Sequence, residues 1–180
     1  MCSSDLVLTC RTAQKDRHGR LPEAPFGSMI NELTGNEMEF YDLLLPEEPG
    51  KLRMDGKEYT WNTWGEILKS GKDSQVWATY TQEFYEGKPA VTTRKLGKGT
   101  VTYVGVDSTD GLLEKDILKK LYAQLNIPVM DLPYGVTLEY RNGMGIVLNY
   151  TDKPYKFVLP SGAKVLIGEP VIPTADRKST

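Results

Sequence analysis

The first 125 residues contain apolar runs of strand length, separated by polar connections that contain glycine. Residues 6–10 (LVLTC) form a short, largely apolar run, which predicts a strand covered on both faces in a parallel α/β sheet. Residues 75–81 alternate between apolar and polar positions, and two further runs, 90–94 and 100–106, flank Gly97-Lys98-Gly99. This order predicts a strand followed by a β-hairpin.

Three segments have the spacing of helices. A short helix is predicted to begin at Ser28 and to end at Gly35, as the capping preferences of serine and glycine favour. A second helix, ending near Ser70, is predicted from four apolar side chains at helical spacing, which are Trp61, Trp64, Ile67 and Leu68. The strongest amphipathic pattern consists of Leu112, Leu113, Ile117, Leu118, Leu121, Tyr122 and Leu125.

After Pro128 the pattern changes to short alternating runs joined by turn sequences such as Arg141-Asn142-Gly143. The runs predict four strands, at 136–140, 146–150, 155–159 and 164–167. Strands with such connections form a small antiparallel β domain, which at this size needs support from a neighbour. Residues 175–180 are expected to be a frayed tail.

Composition is that of an ordinary globular protein. The chain has 180 residues, 39% of them hydrophobic and 26% charged, which favours a packed core over disorder. Its 22 Lys and Arg against 24 Asp and Glu give a net charge of −2. Without a basic patch we expect no nucleic-acid partner. No apolar run approaches the roughly 20 residues that span a bilayer, and no signal peptide is recognisable, so we expect a cytoplasmic protein without a membrane partner.

Cys2, Cys10 and His18 are the only thiol and imidazole side chains. They lack the spacing and number of ligands of a structural zinc site. Cys10 with His18 is the one pair that could perform nucleophilic catalysis. Cys10 has no neighbouring glycine for the sharp turn that would present a thiolate. We therefore expect Cys10 to be a half-buried apolar residue and His18 to be a loop residue.

Three further patterns have both a chemical and a structural interpretation. Gly97-Lys98-Gly99-Thr100 matches only the end of a phosphate-binding loop and precedes a strand, so a hairpin turn is favoured. Asn31-Glu32 and Asn36-Glu37 have the form of a glycosidase acid/base, but in a short helix and the turn after it they are expected to be solvated. Aromatic residues that could stack on sugars are expected mainly to pack in a core or interface; they are Trp61, Trp64, Trp77, Phe84 and Tyr85.

Several segments, taken in order, carry a resemblance to a known family. Residues 6–10 are followed by a polar loop and Pro25-Phe26-Gly27. The most specific part lies between Ala78 and Gly105, within the runs VWATY, FYEGKPAVT and LGKGTVTYVG. This order resembles the later half of the middle domain of glycoside hydrolase family 42 β-galactosidases. Residues 134–152 are similar, more loosely, to the start of the last domain in that family.

In family 42 a catalytic barrel precedes an amidotransferase-like domain associated with trimer formation, and a small β domain follows. The resemblance thus implies an α/β fold, with a partial amidotransferase-like (flavodoxin-like) three-layer domain at 1–127, truncated at its N-terminus, and a small antiparallel β domain at 128–180. The barrel and its two glutamates have no counterpart here. No catalytic, cofactor-binding or metal residue is therefore carried over, and no cofactor is implied.

The function implied is that of the non-catalytic C-terminal segment of a β-galactosidase, a glycosidase of terminal β-galactosides. Its partners would be the catalytic barrel of the parent enzyme and further copies of the chain, in a trimer. Two alternatives stay open: an amidotransferase-like thiol enzyme using Cys10 and His18, and a carbohydrate-binding module. The strand at 6–10 would have an unpaired edge, so we also expect self-association or marginal stability.

Overall fold

The structure of the chain is a computed structural model, which describes residues 5–23, 28–168 and 171–172. It divides into two compact units, Met1–Leu125 and Asn126–Thr180. Strands predominate among the described residues of both units, and helices are few. The predicted α/β class therefore overestimates the helical content.

The first unit is built around one eight-stranded sheet. Its elements are β1 (Leu6–Thr9), a 3-10 turn (Ser28–Ile30), α1 (Asn31–Thr34), β2 (Asn36–Asp42), β3 (Gly50–Met54), β4 (Lys57–Ser70), β5 (Ser74–Tyr80), β6 (Pro89–Leu96), β7 (Gly99–Val104), β8 (Val106–Ser108) and α2 (Leu112–Gln124). The strand order is β1-β7-β6-β5-β3-β4-β2, and β8 pairs with β4. Within the described residues, β1 and β7 form the one parallel pair.

The sheet closes on itself at Gly105, which joins β7 to β8. The first of these strands pairs with β6 and the second with β4, so the path β7-β6-β5-β3-β4-β8 returns to the segment where it began. The Gly105 N–H donates to the carbonyl of Ala90 at 2.8 Å, and the Gly105 carbonyl accepts from the N–H of Glu66 at 2.7 Å. A Cβ at Gly105 would lie 3.0 Å and 3.1 Å from backbone oxygens of these two neighbours, which explains the glycine.

The helix predicted through Ser70 is wrong, because these residues belong to the 14-residue strand β4. The strand bends between Trp61 and Gly65, where its register with β8 shifts and Thr63 has a φ of +64°. Before the bend, Tyr59 and Trp61 are the buried residues, at alternate positions; after it, residues 65–68 are all buried. Trp61, Ile67 and Leu68 are buried in this bent strand. Ile67 and Leu68 follow Trp61 by six and seven residues, which imitates two turns of a helix.

The strand predicted at residues 6–10 exists as β1, but the expectation that it is covered on both faces is wrong. Leu6 is 40% exposed, and Val7 is the partly buried residue of β1 that packs against the core. β1 lies at the end of the sheet and pairs with β7 alone among the described residues. Its other edge thus has no strand partner in that part of the chain, which explains the exposure.

The amphipathic helix and the hairpin are confirmed. α2 buries three apolar side chains one above the other, Leu113, Ile117 and Leu121, and β6 and β7 pair in register around the Gly97 turn. The predicted short helix is divided into a 3-10 turn and α1, and Gly35 ends it with a φ of +69°. The core between α2 and the sheet includes Leu52, Trp61, Ile67, Trp77, Tyr80, Tyr85, Val91 and Val104.

The second unit contains two small antiparallel pairs. β9 (Val136–Arg141) and β10 (Met144–Asn149) form a hairpin, and β11 (Tyr155–Lys156) pairs with β12 (Val171–Ile172). The strand predicted at 155–159 is therefore shorter, and the one predicted at 164–167 is wrong. Ile167 is 96% exposed, so no buried face selects an extended conformation there. The predicted tail, 175–180, lies outside the described residues.

Candidate functional site

Cys10 lies directly after β1 and is partly buried. Burial, followed by the nearby carboxylates of Glu66 and Asp107, raises the pKa of the thiol to about 12. Arg11 adopts a φ of +65°, so the chain makes a sharp turn here without the glycine that the sequence argument required. The side chain at this turn is nevertheless a protonated thiol at neutral pH, which is a poor nucleophile.

His18 lies in the loop that follows β1 and is exposed. Its Nε2 accepts a hydrogen bond from Arg17 Nε at 3.1 Å, and its backbone N–H donates to Asp16 Oδ1 at 2.8 Å. Neither of these partners is Cys10. The structure thus places His18 as the sequence predicts, in a loop, and gives the Cys10–His18 pair no shared hydrogen bond among the described residues.

The glycine-rich turn between β6 and β7 carries an exposed Lys98. The N–H and the hydroxyl of Thr100 donate to the carboxylate of Asp5 at 2.8 Å and 2.7 Å. In a phosphate-binding loop these donors would face the phosphate. Here they hold the residue that precedes β1, and the hairpin interpretation stands.

The two Asn-Glu pairs lie at separate places. Glu32 is exposed on α1, whereas Asn36 and Glu37 begin β2 and do not form the turn that was predicted. Asn36 is buried and donates to Thr92 Oγ1 at 2.6 Å. Glu37 is exposed and pairs with Lys69 at 3.0 Å. Glu32 and Glu37 are thus solvated as expected, whereas the expectation is wrong for Asn36, because its amide is buried against Thr92 of β6.

Of the five aromatic candidates, Trp61, Trp77 and Tyr85 are buried core residues. Trp64 stacks on Tyr41 with a centroid distance of 4.4 Å, and the Arg11 guanidinium lies 5.3 Å from its ring centroid. Phe84 differs from the rest because its side chain is 83% exposed. Its ring stacks on Phe40 with a centroid distance of 5.4 Å.

Glu66 is a buried charged residue that the sequence argument missed. Its side chain is 1% exposed, and its Oε1 accepts hydrogen bonds from the N–H of Arg11 at 2.8 Å and from Trp64 Nε1 at 3.0 Å. Its Oε2 accepts from the hydroxyl of Tyr103. Burial and this carboxylate raise the pKa of Tyr103. Glu66 therefore ties the turn after β1 to β4 and β7; its sequence signal is a lone acid beside apolar Ile67 and Leu68.

The described residues of the first unit include two sets of exposed apolar side chains. The α2 stripe consists of Leu118, Tyr122 and Leu125, which are 41–47% exposed on the helix turns beside the buried row. The Phe84 surface consists of Leu43, Leu45 and Phe84, which are 60–83% exposed. Contiguous exposed apolar side chains mark interaction sites more often than isolated ones do.

Other classes of site have no support in the described residues. Within residues 5–23, 28–168 and 171–172, no helix is long and apolar enough to cross a membrane. In the same part of the chain, no three or more His, Cys, Asp or Glu side chains are grouped so that they could hold a metal ion.

The family model of the beta-galactosidase trimerisation domain matches residues 3–133. The chain belongs to this family. The resemblance to glycoside hydrolase family 42 that the sequence suggested is thereby confirmed. The match covers the first unit from residue 3 onward, including both exposed apolar surfaces.

Curated relatives are β-galactosidases of much greater length. Beta-galactosidase BgaH of Haloferax lucentense is 28% identical over 171 residues, which is 95% of this chain and 26% of the relative. BglY of Alicyclobacillus acidocaldarius is 32% identical over 179 residues, 91% of this chain and 26% of the relative. The trimerisation-family chain described here thus spans about a quarter of the length of these relatives.

Solved structures have the same fold. The β-galactosidase from the psychrophilic Marinomonas ef1 superposes with a TM-score of 0.78 at 21% identity, covering 96% of this chain and 24% of that one. Gan42B, a GH42 β-galactosidase from G. stearothermophilus, gives a TM-score of 0.72 at 24% identity over 84% of this chain and 23% of that one. At these identities the likeness concerns the fold alone.

Proposed function

We propose that this chain is the non-catalytic C-terminal segment of a β-galactosidase, and that it serves oligomer assembly and supports the catalytic barrel. The observation that carries the proposal is the match of residues 3–133 to a trimerisation domain. The parent enzyme would hydrolyse terminal β-galactosides in the cytoplasm. Its barrel would be supplied by sequence outside these 180 residues.

The domain organisation is part of this proposal. Residues 1–127 would be the amidotransferase-like trimerisation domain and 128–180 the small antiparallel β domain. The parallel pairing of β1 with β7 supports the first assignment, because parallel strands are the basis of a three-layer α/β sheet. In the parent enzyme further strands would add to the edge of β1 that lacks a partner among the described residues.

Support for the assembly role comes from the surface of the first unit. The α2 stripe and the Phe84 surface expose six large apolar side chains, more than solubility alone would favour. Burial between copies would remove this apolar area from water. These surfaces therefore support the proposed role in assembly.

Sedimentation velocity over a concentration series tests the assembly role. We expect the full chain to sediment as a species of three chains at high concentration and to dissociate on dilution. A monomer at every concentration would contradict the proposal. For the barrel, the chain would be co-expressed with a family 42 enzyme cut before its trimerisation domain. The soluble β-galactosidase activity should rise relative to the truncated enzyme alone, and no rise would contradict the supporting role.

A further inference from the structure

The α2 stripe combines apolar side chains with neighbouring positive charge. Leu118, Tyr122 and Leu125 follow one another at intervals of four and three, so they lie on one side of α2. Lys115 and Lys119 stand three residues before Leu118 and Tyr122, along the same side. The row that faces the core is a separate one, formed by Leu113, Ile117 and Leu121.

The Phe84 surface combines apolar side chains with negative charge. Leu43, Leu45 and Phe84 belong to two segments, 40–48 and 82–86. Phe84 stacks on Phe40, and the hydroxyl of Tyr85 donates to Asp42 at 2.7 Å, so the two segments are held together. The segments contain no Lys or Arg. Four glutamates among them are exposed, namely Glu47, Glu48, Glu83 and Glu86.

The symmetry of a trimer requires two different surfaces on each copy. A surface that pairs with itself gives a two-fold dimer, whereas a closed ring of three copies needs head-to-tail contacts between unlike surfaces. The α2 stripe and the Phe84 surface are unlike in charge, and each has apolar side chains at its centre. Pairing the α2 stripe with itself would bring Lys115 and Lys119 of both copies into one contact, which is unfavourable.

We propose that the α2 stripe of one copy of this chain docks against the Phe84 surface of the next copy. The inference rests on the proposed assembly function and specifies the surface by which it is achieved. The apolar side chains form the centre of the contact and the lysines and glutamates its rim, which is the usual anatomy of a specific interface. The rim charges set the orientation of the two copies and speed their encounter.

A mixing experiment with the full chain tests the contact. Leu118→Glu and Phe84→Glu should each convert the trimer to a monomer, because a central apolar contact is worth about tenfold or more in affinity. When the two variants are mixed, the intact Phe84 surface of one meets the intact α2 stripe of the other. The mixture should therefore form a dimer containing one copy of each variant, seen by sedimentation and native mass spectrometry.

Matched controls separate the contact from general effects of charge. Leu96→Glu changes a leucine that is 41% exposed, against 42% for Leu118, and Leu21→Glu changes one that is 73% exposed; both should leave the trimer intact. Far-UV circular dichroism and urea unfolding verify that each variant folds. If a leucine or phenylalanine variant fails to fold, a charge exchange replaces it. The double change Lys115→Glu with Lys119→Glu should weaken association, and Glu83→Lys with Glu86→Lys in the same chain should restore it.

The outcomes separate this inference from the proposed function. A wild-type chain that stays monomeric contradicts both. A trimer that survives Leu118→Glu and Phe84→Glu overturns the contact and leaves the assembly function standing. Dimers formed by either variant alone, or association that is lost only when Val7→Pro disrupts the edge of β1, would also overturn it, because the contact would then lie elsewhere.

Discussion

At the scale of single residues, Glu66 shows how one buried carboxylate organises three parts of the chain. Both of its oxygens face donors, from the Arg11 backbone, the Trp64 indole and the Tyr103 hydroxyl. A carboxylate accepts hydrogen bonds without offering a proton of its own, so the donors are all satisfied. An amide of the same shape would direct one N–H₂ group at these donors.

Replacing Glu66 by Gln should lower the free energy of unfolding by about 2–3 kcal/mol, because buried donors lose their acceptor. Urea titration of the variant measures the change. Glu37→Gln is the matched control; Glu37 is exposed and pairs with Lys69, so its loss should cost less than about 1 kcal/mol. Equal effects of the two substitutions would show that Glu66 does not organise the turn.

Cys10 should react slowly with alkylating reagents at neutral pH, because burial raises the pKa of its thiol to about 12 and the thiolate is the nucleophile. A Cys2→Ser background leaves Cys10 as the one thiol in the chain. Iodoacetamide labelling should be slow in the folded chain and fast in urea. Rapid stoichiometric labelling of the folded chain below pH 7 would contradict this prediction.

The same pKa has a consequence for stability at alkaline pH. An unfolded thiol ionises near pH 8.5, whereas the folded thiol of Cys10 stays protonated until about pH 12. The unfolded state therefore loses its proton first, and stability is lost as the pH rises through this window. We expect the free energy of unfolding of the chain, relative to that of its Cys10→Ser variant, to be constant below pH 8. Above pH 9 the free energy of unfolding of the chain should fall relative to that of the variant. A difference that is independent of pH would contradict the raised pKa.

At the scale of secondary-structure elements, the bend in β4 determines how the sheet closes. Thr63 takes a left-handed conformation there, and its N–H donates to the carbonyl of Leu44 at 3.0 Å. Two residues later, a Cβ on Gly65 would lie 2.6 Å from the ring of Trp61, which is fully buried. The backbone is thus strained at Thr63, and at Gly65 there is no room for a side chain.

Two substitutions at this bend should have opposite signs. Thr63→Gly should raise the free energy of unfolding by about 0.5–1 kcal/mol. Glycine adopts a positive φ without the steric cost that threonine has there, and this gain exceeds the additional backbone entropy that glycine loses on folding. Gly65→Ala should lower it by about 1–3 kcal/mol through overpacking against Trp61. Urea unfolding of the two variants, each the control for the other, measures both. A loss of stability in both would show that Thr63 is not strained.

At the scale of the whole molecule, the arrangement of carboxylates bears on catalysis. Retaining glycosidases need two carboxyl groups about 5 Å apart. Glu32 lies on α1, whereas Glu37 lies on β2 and pairs with Lys69 of β4. We expect no hydrolysis of a chromogenic β-galactoside by the purified chain above the blank. Turnover that Glu32→Gln or Glu37→Gln abolishes would show that this expectation is wrong.

The sequence by itself determined the features that depend on near neighbours along the chain. The four-residue spacing of Leu113, Ile117 and Leu121 specifies a helix with one buried row, and Gly97 with its neighbours specifies the hairpin turn between β6 and β7. The segments between Ala78 and Gly105 were specific enough to indicate the family. In each case the information lies within a few residues, which is the range over which helical periodicity and turn chemistry act.

Only the tertiary structure decided the features that depend on distant residues. Trp61, Ile67 and Leu68 fit a helical period as well as a bent strand. The pairing of β4 with β2, β3 and β8 stabilises the strand. From the sequence alone, Glu66 would be assigned to the surface like other acidic residues. In the structure it is buried and accepts hydrogen bonds from Arg11 and Tyr103, which are 55 and 37 residues away in sequence. The shifted pKa of Cys10 follows from the same closure. Packing brings these groups together across the sheet. The local pattern of apolar and polar residues cannot predict such contacts, because it depends only on residues that are close in sequence.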